Sequence, residues 1–106
     1  MATRLQSSGK LTFLRVNDVN DRFGDPAPSA AHPHGNQIDV EVVCMLDTEP
    51  GRAFGFRLRT DKNRFTHAGM LDILRDAFKN DFTVTIDFDI DADKSNGVIM
   101  RTTLTK

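Results

Sequence analysis

Carboxylate side chains recur in this sequence at a spacing that could bind a metal ion. Four of them alternate along one stretch: Asp87, Asp89, Asp91 and Asp93. Alternating carboxylates are typical of calcium loops, but counting from Asp89 the sixth residue is Lys94 instead of glycine and the twelfth is Met100 instead of glutamate. We therefore expect a solvated strand face at this stretch and no metal.

Two histidines, His32 and His34, form an H-x-H pair within a proline-rich stretch. Imidazole pairs bind zinc or nickel when further ligands accompany them. The sequence has no CxxC motif and no third histidine at ligand spacing. We expect His32 and His34 to be loop residues, and we predict no metal and no cofactor.

The segment Arg52–Arg59, RAFGFRLR, places two phenylalanines on either side of a glycine in a basic strand. It resembles the RNP1 motif of RNA-recognition and cold-shock domains, in which aromatic rings on a strand stack on bases. The resemblance covers eight residues and departs from the motif at Ala53, Arg57 and Arg59. It implies a nucleic-acid surface on this strand.

The alternation of side chains along a strand decides which way these rings face. If Phe54 and Phe56 pointed outward to stack on bases, Arg57 and Arg59 would point into the core, where unpaired guanidinium groups are very costly. We therefore predict that both rings face the core and that both arginines face outward. The outward arginines would then pair with carboxylates of the preceding strand, Asp39 and Glu41.

The sequence lacks the patterns that mark common catalytic centres. It contains no Gly-rich phosphate loop, no G-x-S-x-G and no H-E-x-x-H. Cys44 falls on the core face of a predicted strand, so packing accounts for it. His67 follows Thr66, the expected helix N-cap, and has no nucleophile or acid partner nearby in the sequence, so we expect a structural role for it. We expect no enzyme activity.

Composition limits the partners of the chain. Its 106 residues carry 14 Lys plus Arg against 15 Asp plus Glu, so the net charge is −1 and no global field attracts a phosphate backbone. Nucleic acid is therefore disfavoured as a partner. One cysteine cannot form an internal disulfide, and the N-terminus has no apolar signal region. We expect a cytoplasmic protein that is not bound to a membrane.

Hydrophobic periodicity predicts five strands with one amphipathic helix between the third and the fourth. The strands are residues 10–16, 38–46, 53–59, 82–90 and 98–105. The order β-β-β-α-β-β is that of an OB-type (oligonucleotide- or oligosaccharide-binding) barrel. We predict a mainly β fold with one helix (α+β), an OB-like five-stranded barrel, as a single domain over residues 10–106 after a flexible segment at 1–9.

Two further features qualify this picture. The apolar residues of the first strand change parity between Phe13 and Leu14, which predicts a bulge. The stretch 17–36 has three of the four prolines and two glycines, and it predicts a long loop that is either functional or mobile. The predicted core is Ile38, Val40, Val42, Phe54, Phe56, Leu58, Leu71, Leu74, Phe78, Val84, Ile86, Phe88, Val98 and Met100.

These patterns favour a small non-catalytic binding or assembly domain of unknown ligand. Outward apolar positions, Val43, Met45 and Ile99, predict an interface through which the chain forms a homo-oligomer. A competing expectation is that the long loop folds back over the second strand and covers Val43 and Met45 within one chain. The alternative function is an OB-like single-stranded nucleic-acid-binding protein, with phosphate contacts from Arg52, Arg57 and Arg59 and stacking on Phe23.

Overall fold

The computed structural model describes residues 2–105 as one helix and six strands. The elements are β1 Ala2–Gly9, β2 Leu11–Val16, β3 Val42–Leu46, β4 Ala53–Phe56, α1 Arg64–Asn80, β5 Thr83–Asp91 and β6 Gly97–Thr105. The strands form one mixed sheet in the order β1-β5-β6-β4-β3-β2, in which β4 and β6 are parallel and the other neighbours are antiparallel. The predicted α+β class is confirmed.

The predicted closed five-stranded barrel is not what these residues form, because the described sheet has two edges, β1 and β2. These edge strands follow each other in the chain and are separated by Lys10 alone. The chain pairs with β5 up to Gly9 and with β3 from Leu11 onward. A covalent link therefore joins the two edges where a hydrogen-bonded ladder would close a barrel.

The N-terminal segment was predicted to be flexible, and this expectation is wrong for Ala2–Gly9, which pairs with β5 along its whole length. The side chains of Arg4, Gln6 and Ser8 bond to β5: Arg4 pairs with Asp89, Gln6 Nε2 donates to Asp87 Oδ1 at 2.7 Å, and Ser8 Oγ lies 2.7 Å from Thr85 Oγ1. A strand held by polar contacts has no hydrophobic alternation, so periodicity did not reveal it. Met1 lies outside the described residues.

The chain bends sharply between β1 and β2. A Cβ on Gly9 would lie 2.5 Å from Asp47 Oδ1, so a larger residue here would displace the Asp47 side chain. Lys10 N–H donates to the same Asp47 oxygen at 3.0 Å. Just beyond the bend, the register of β2 against β3 shifts between Leu11 and Phe13. The predicted irregularity of the first strand is confirmed, slightly earlier than expected.

The main core lies between the inner face of the sheet and α1, and Phe54 and Phe88 meet edge to face in it at 4.8 Å between ring centroids. Nine predicted core residues are buried: Ile38, Val40, Val42, Phe54, Phe56, Leu74, Val84, Ile86 and Phe88. Leu58 and Leu71 are partly buried against the core. The prediction is wrong for Phe78, Val98 and Met100, which are exposed.

A bulge in β6 explains why the predicted inward and outward faces of the last strand are wrong. Asp87 pairs with Arg101 but Phe88 pairs with Ile99, so Met100 is an extra residue in the ladder. The bulge turns Ile99 inward, where it is buried in the main core, and turns Met100 outward. The residues on either side of Met100 are Ile99 and Arg101, and neither is a glycine or a proline that would signal this bulge.

The helix α1 starts at Arg64, before the predicted N-cap Thr66, and ends at Asn80. Asp81 follows in the left-handed conformation with φ of 59°. The helix buries Met70, Leu74 and Ala77 against the sheet. In residues 2–105 no helix has both the length and the apolar character to cross a lipid bilayer.

In the structure the long loop spans residues 17–41, between β2 and β3, and it lies against the outer face of β3 and β4. Phe23 and Ile38 bridge within it, since Phe23 N–H donates to Ile38 O at 3.0 Å and Ile38 N–H donates to Phe23 O at 2.7 Å. A second cluster forms beneath this bridge from Ile38, Val40, Val43 and Ala53, with Phe13, Phe23 and Met45 partly buried at its margin. The predicted second strand is therefore regular only over Val42–Leu46, and the preceding residues belong to the loop's packing.

Candidate functional site

The arginines proposed to contact phosphates are engaged inside the chain. Arg52 Nη1 lies 3.1 Å from Glu49 Oε2, and its guanidinium sits 5.5 Å from the centroid of the Phe88 ring. Arg57 Nη2 lies 3.7 Å from Asp39 Oδ2. The predicted pairing of outward arginines with carboxylates of the preceding strand is confirmed for Arg57.

Arg59 forms the tightest of these pairs. Its Nη2 lies 2.5 Å from Asp39 Oδ1 and 2.8 Å from Glu41 Oε2. Glu41 is buried, and its Oε1 also accepts a hydrogen bond from Leu58 N–H at 2.8 Å. The hydrogen bond from Arg59 lowers the pKa of Asp39, and the bonds to Glu41 and Asp39 raise the pKa of Arg59. The charges of Asp39 and Glu41 balance those of Arg57 and Arg59 within this cluster, which is part of the folded structure.

The aromatic residues of the RNP1-like segment face the core as predicted. Phe54 and Phe56 are fully buried in the main core, so neither ring can stack on a base. Phe23 is partly buried in the second cluster, with the Arg15 guanidinium 5.1 Å from its ring centroid. The stacking face predicted for Phe23 is therefore occupied by an intramolecular cation.

The three predicted interface residues do not form an exposed apolar row. Val43 does point to the outer face of the sheet, but the loop covers it completely. Met45 is partly buried in the same cluster, and Ile99 is buried in the main core because of the β6 bulge. The competing expectation, that the long loop folds over Val43 and Met45 within one chain, is therefore confirmed.

The candidate metal ligands are not gathered. His34 Nε2 is 4.0 Å from Asp93 Oδ2, and Asp87 is taken up by Gln6 and by Arg101. Within residues 2–105 no group of three or more His, Cys, Asp or Glu side chains comes together as a metal site. Cys44 is buried, and burial raises the pKa of its thiol to about 12.

A cleft of about 420 Å³ opens where β4 and β6 diverge, and we call it the β4–β6 cleft. In the described chain, the two parallel strands pair at Phe54 with Gly97 and at Gly55 with Val98, and then separate. The start of α1 contributes Asn63 and His67 to the walls, the long loop contributes Arg22 and residues 37–39, and the turn after β5 contributes Lys94.

The floor of the β4–β6 cleft is apolar and its rim is charged. Val98 and Met100 line it with relative exposures of 38% and 46%, the latter as a result of the bulge. Arg22 forms no direct ion pair within residues 2–105, but, added to the hydrogen bond from Arg59, its charge helps to lower the pKa of Asp39. Lys94 Nζ donates to Gln37 O at 2.5 Å. The acidic side chains on the rim are Asp39 and Asp91.

His67 supplies a polar atom that lacks a partner. Its Nδ1 is buried and forms no hydrogen bond to any described residue, while its ring lies 5.5 Å from that of Phe56. Leaving a buried nitrogen unpaired costs roughly 1–3 kcal/mol, so such an atom calls for a ligand or a water molecule. Sequence reasoning gave His67 a structural role and missed the cleft around it.

The loop rim of the β4–β6 cleft is tied to the β5–β6 turn. Asn36 Nδ2 donates to Ser95 Oγ at 2.8 Å, and Asn36 Oδ1 accepts from Ser95 N–H at 2.9 Å. Asn96 Nδ2 donates back to Asn36 O at 2.8 Å. Asn36 and Asn96, one in each of two distant turns, are the sequence feature that could have suggested this junction. It holds Arg22 and Lys94 on a common wall.

Comparison of the chain with protein-family models, curated proteins and solved structures finds no match. The function is therefore argued from the geometry of the cleft.

Proposed function

We propose that this chain is a small, non-catalytic binding domain of the OB type that holds a small amphipathic anion in the β4–β6 cleft. The OB assignment is supported by strand order. If β1 and β2 are counted as two arms of one bent first strand, β3, β4, β5 and β6 become strands two to five. The strand order is then 1-2-3-5-4-1, and strands three and five, which are β4 and β6, are parallel. An OB fold is a five-stranded, partly open barrel whose binding face and loops vary with the ligand.

The observation that carries the proposal is the β4–β6 cleft itself. Its volume of about 420 Å³ is within the usual range for small-molecule sites, roughly 300–1,000 Å³. Val98 and Met100 offer an apolar surface, and the His67 side chain, whose buried Nδ1 has no hydrogen-bond partner among the described residues, lines the same cleft. No serine, threonine or cysteine is among the described residues that line the cleft, so its lining has no hydroxyl or thiol nucleophile.

The charge of the rim favours an anion. Arg22, Arg57 and Lys94 line the cleft together with two carboxylates, and one of these, Asp39, is already shared between Arg57 and Arg59. Arg22 is the cation with most freedom to meet a ligand carboxylate or phosphate, because no described side chain forms a direct ion pair with it and Asp39, on which its charge acts, is bonded to Arg59. Single-stranded nucleic acid is the weaker alternative, since its proposed phosphate contacts are engaged by carboxylates.

The test is an NMR titration of amide resonances with sodium octanoate, and with octylammonium chloride as the probe of opposite charge. Octanoate is expected to shift amides of the cleft, at 37–39, 63–67 and 98–100, and octylammonium is not. Arg22→Ala should weaken octanoate binding by about tenfold, the equivalent of one charge-assisted hydrogen bond. Arg75→Ala, an exposed arginine of α1, is the matched control. Equal shifts with both probes, or shifts outside the cleft, would refute the proposal.

A further inference from the structure

The strand β1 is an open edge of the sheet. It pairs with β5 on one side, and no other described strand pairs with its second side. Open edges present unpaired N–H and C=O groups to any extended segment, and proteins usually block them with proline, lysine, bulges or short strands. The eight residues of β1, ATRLQSSG, contain neither proline nor lysine, and the charge of Arg4 is paired with Asp89.

The other edge, β2, is blocked in ways that β1 is not. Its register is interrupted by the bulge between Leu11 and Phe13, and α1 packs against it. Bulges twist an edge away from regular pairing. The strand β1 has an uninterrupted register and carries Leu5 at 42% relative exposure, opposite the buried Phe88. Of the two described edges, β1 is therefore the one suited to a partner strand.

We propose that the chain dimerises through antiparallel pairing of β1 with β1 of a second copy, around a two-fold axis at Leu5. A two-fold axis between antiparallel strands of one continuous sheet stands perpendicular to it and preserves the two faces. Each residue must then oppose one of the same parity, because successive side chains alternate between faces. Leu5 would face the partner's Leu5, and Arg4 would face the partner's Gln6.

Neighbouring registers are disfavoured by charge and by the β3–β4 turn. An axis at Arg4 would place two guanidinium groups directly opposite each other, which is destabilising. An axis at Gln6 would require pairing at Ser8, whose carbonyl already accepts a hydrogen bond from Thr48 Oγ1 at 2.7 Å. The Leu5 register uses the edge from Thr3 to Ser7 alone, and it joins the inner apolar rows of both copies through Leu5 and Phe88.

This surface differs from the row predicted by sequence, and it is independent of the β4–β6 cleft. Light scattering over a concentration series should show a monomer converting to a dimer. Leu5→Lys should shift the monomer–dimer equilibrium by at least tenfold toward monomer. Val16→Lys, which changes an exposed apolar residue on the other edge, should leave it unchanged. A wild-type chain that stays monomeric throughout, or that forms trimers or longer assemblies, would overturn the proposal.

Cysteine cross-linking tests the register. In the Leu5 register, thiols introduced by Leu5→Cys lie on Cβ atoms about 4.5–5.5 Å apart across the axis, which a disulfide can span. Thiols introduced by Ser7→Cys are separated by four residues of extended strand, about 13 Å, which it cannot span. Rapid oxidation of the first variant and not the second is expected, with little background from buried Cys44. Equal cross-linking at both positions would refute the register.

Discussion

Arg59 and Glu41 form an ion pair whose two members differ sharply in exposure. The Glu41 side chain is 2% exposed, whereas that of Arg59 is 27% exposed and also pairs with Asp39 at 2.5 Å. The carboxylate depends on Arg59, but the guanidinium retains Asp39 and solvent when Glu41 is removed. We therefore expect an asymmetry: replacing the cation should destabilise the fold more than replacing the buried anion.

The magnitudes follow from what each substitution leaves behind. Arg59→Met leaves the Glu41 carboxylate buried without a cation, a situation that costs about 3–5 kcal/mol. Glu41→Leu removes the acceptor of the Leu58 N–H group, which is partly buried and costs about 1–3 kcal/mol when unpaired. The free energy of unfolding of Arg59→Met should thus lie about 2 kcal/mol below that of Glu41→Leu.

Urea unfolding at neutral pH, followed by far-ultraviolet circular dichroism, measures both variants against the parent chain. Arg75→Met is the control, because Arg75 pairs with Asp72 and the two side chains are 70% and 75% exposed. Exposed pairs contribute about 0–1 kcal/mol, so the control should unfold close to the parent. If Glu41→Leu destabilised the fold as much as Arg59→Met, the burial of the carboxylate would not be the reason that Arg59 matters.

Three further outcomes follow from single contacts. Gly55→Ala should lower the free energy of unfolding by about 1–3 kcal/mol in urea, because the added Cβ would lie 2.5 Å from Val40 Cγ2. The hydrogen bond from Arg4 lowers the pKa of Asp89, so this pair stabilises the fold above about pH 4 and ceases to do so as the pH falls through that lowered pKa. Melting temperatures of Arg4→Gln should accordingly depend less on pH in that acidic range than those of the parent chain. Burial raises the pKa of the Cys44 thiol to about 12, so a disulfide reagent should modify it at neutral pH only in denaturant.

Regular alternation predicted the elements that rest on local pattern. The run from Phe82 to Ile90 has its apolar side chains at every second residue, and it forms β5 with the predicted face inward. The inward orientation of Phe54 and Phe56 was predicted for a different reason, the cost of burying two unpaired arginines. Both arguments need only neighbouring residues, which is why they succeeded.

Features that depend on distant partners could not be predicted in this way. The strand β1 is stabilised by cross-strand polar bonds to β5, so its own sequence looks like a loose tail. The Met100 bulge arises from how β6 fits β5, and it reverses the faces of Val98 and Ile99 without any local signal. The β4–β6 cleft depends on that bulge and on the loop, so its residues could not be grouped from the sequence.

The long loop covers the outer face of the sheet and also lines the β4–β6 cleft, and one set of contacts serves both. Phe23 and Ile38 hold it on the second cluster, and Asn36 ties it to the β5–β6 turn. Arg22 lies next to Phe23, so the same packing that covers Val43 also positions the unpaired cation at the rim of the cleft. A ligand held by Arg22 would in turn stabilise the packed loop, because binding to one folded arrangement favours that arrangement. In this fold, covering the outer face of the sheet and forming one wall of the β4–β6 cleft are consequences of the same loop conformation.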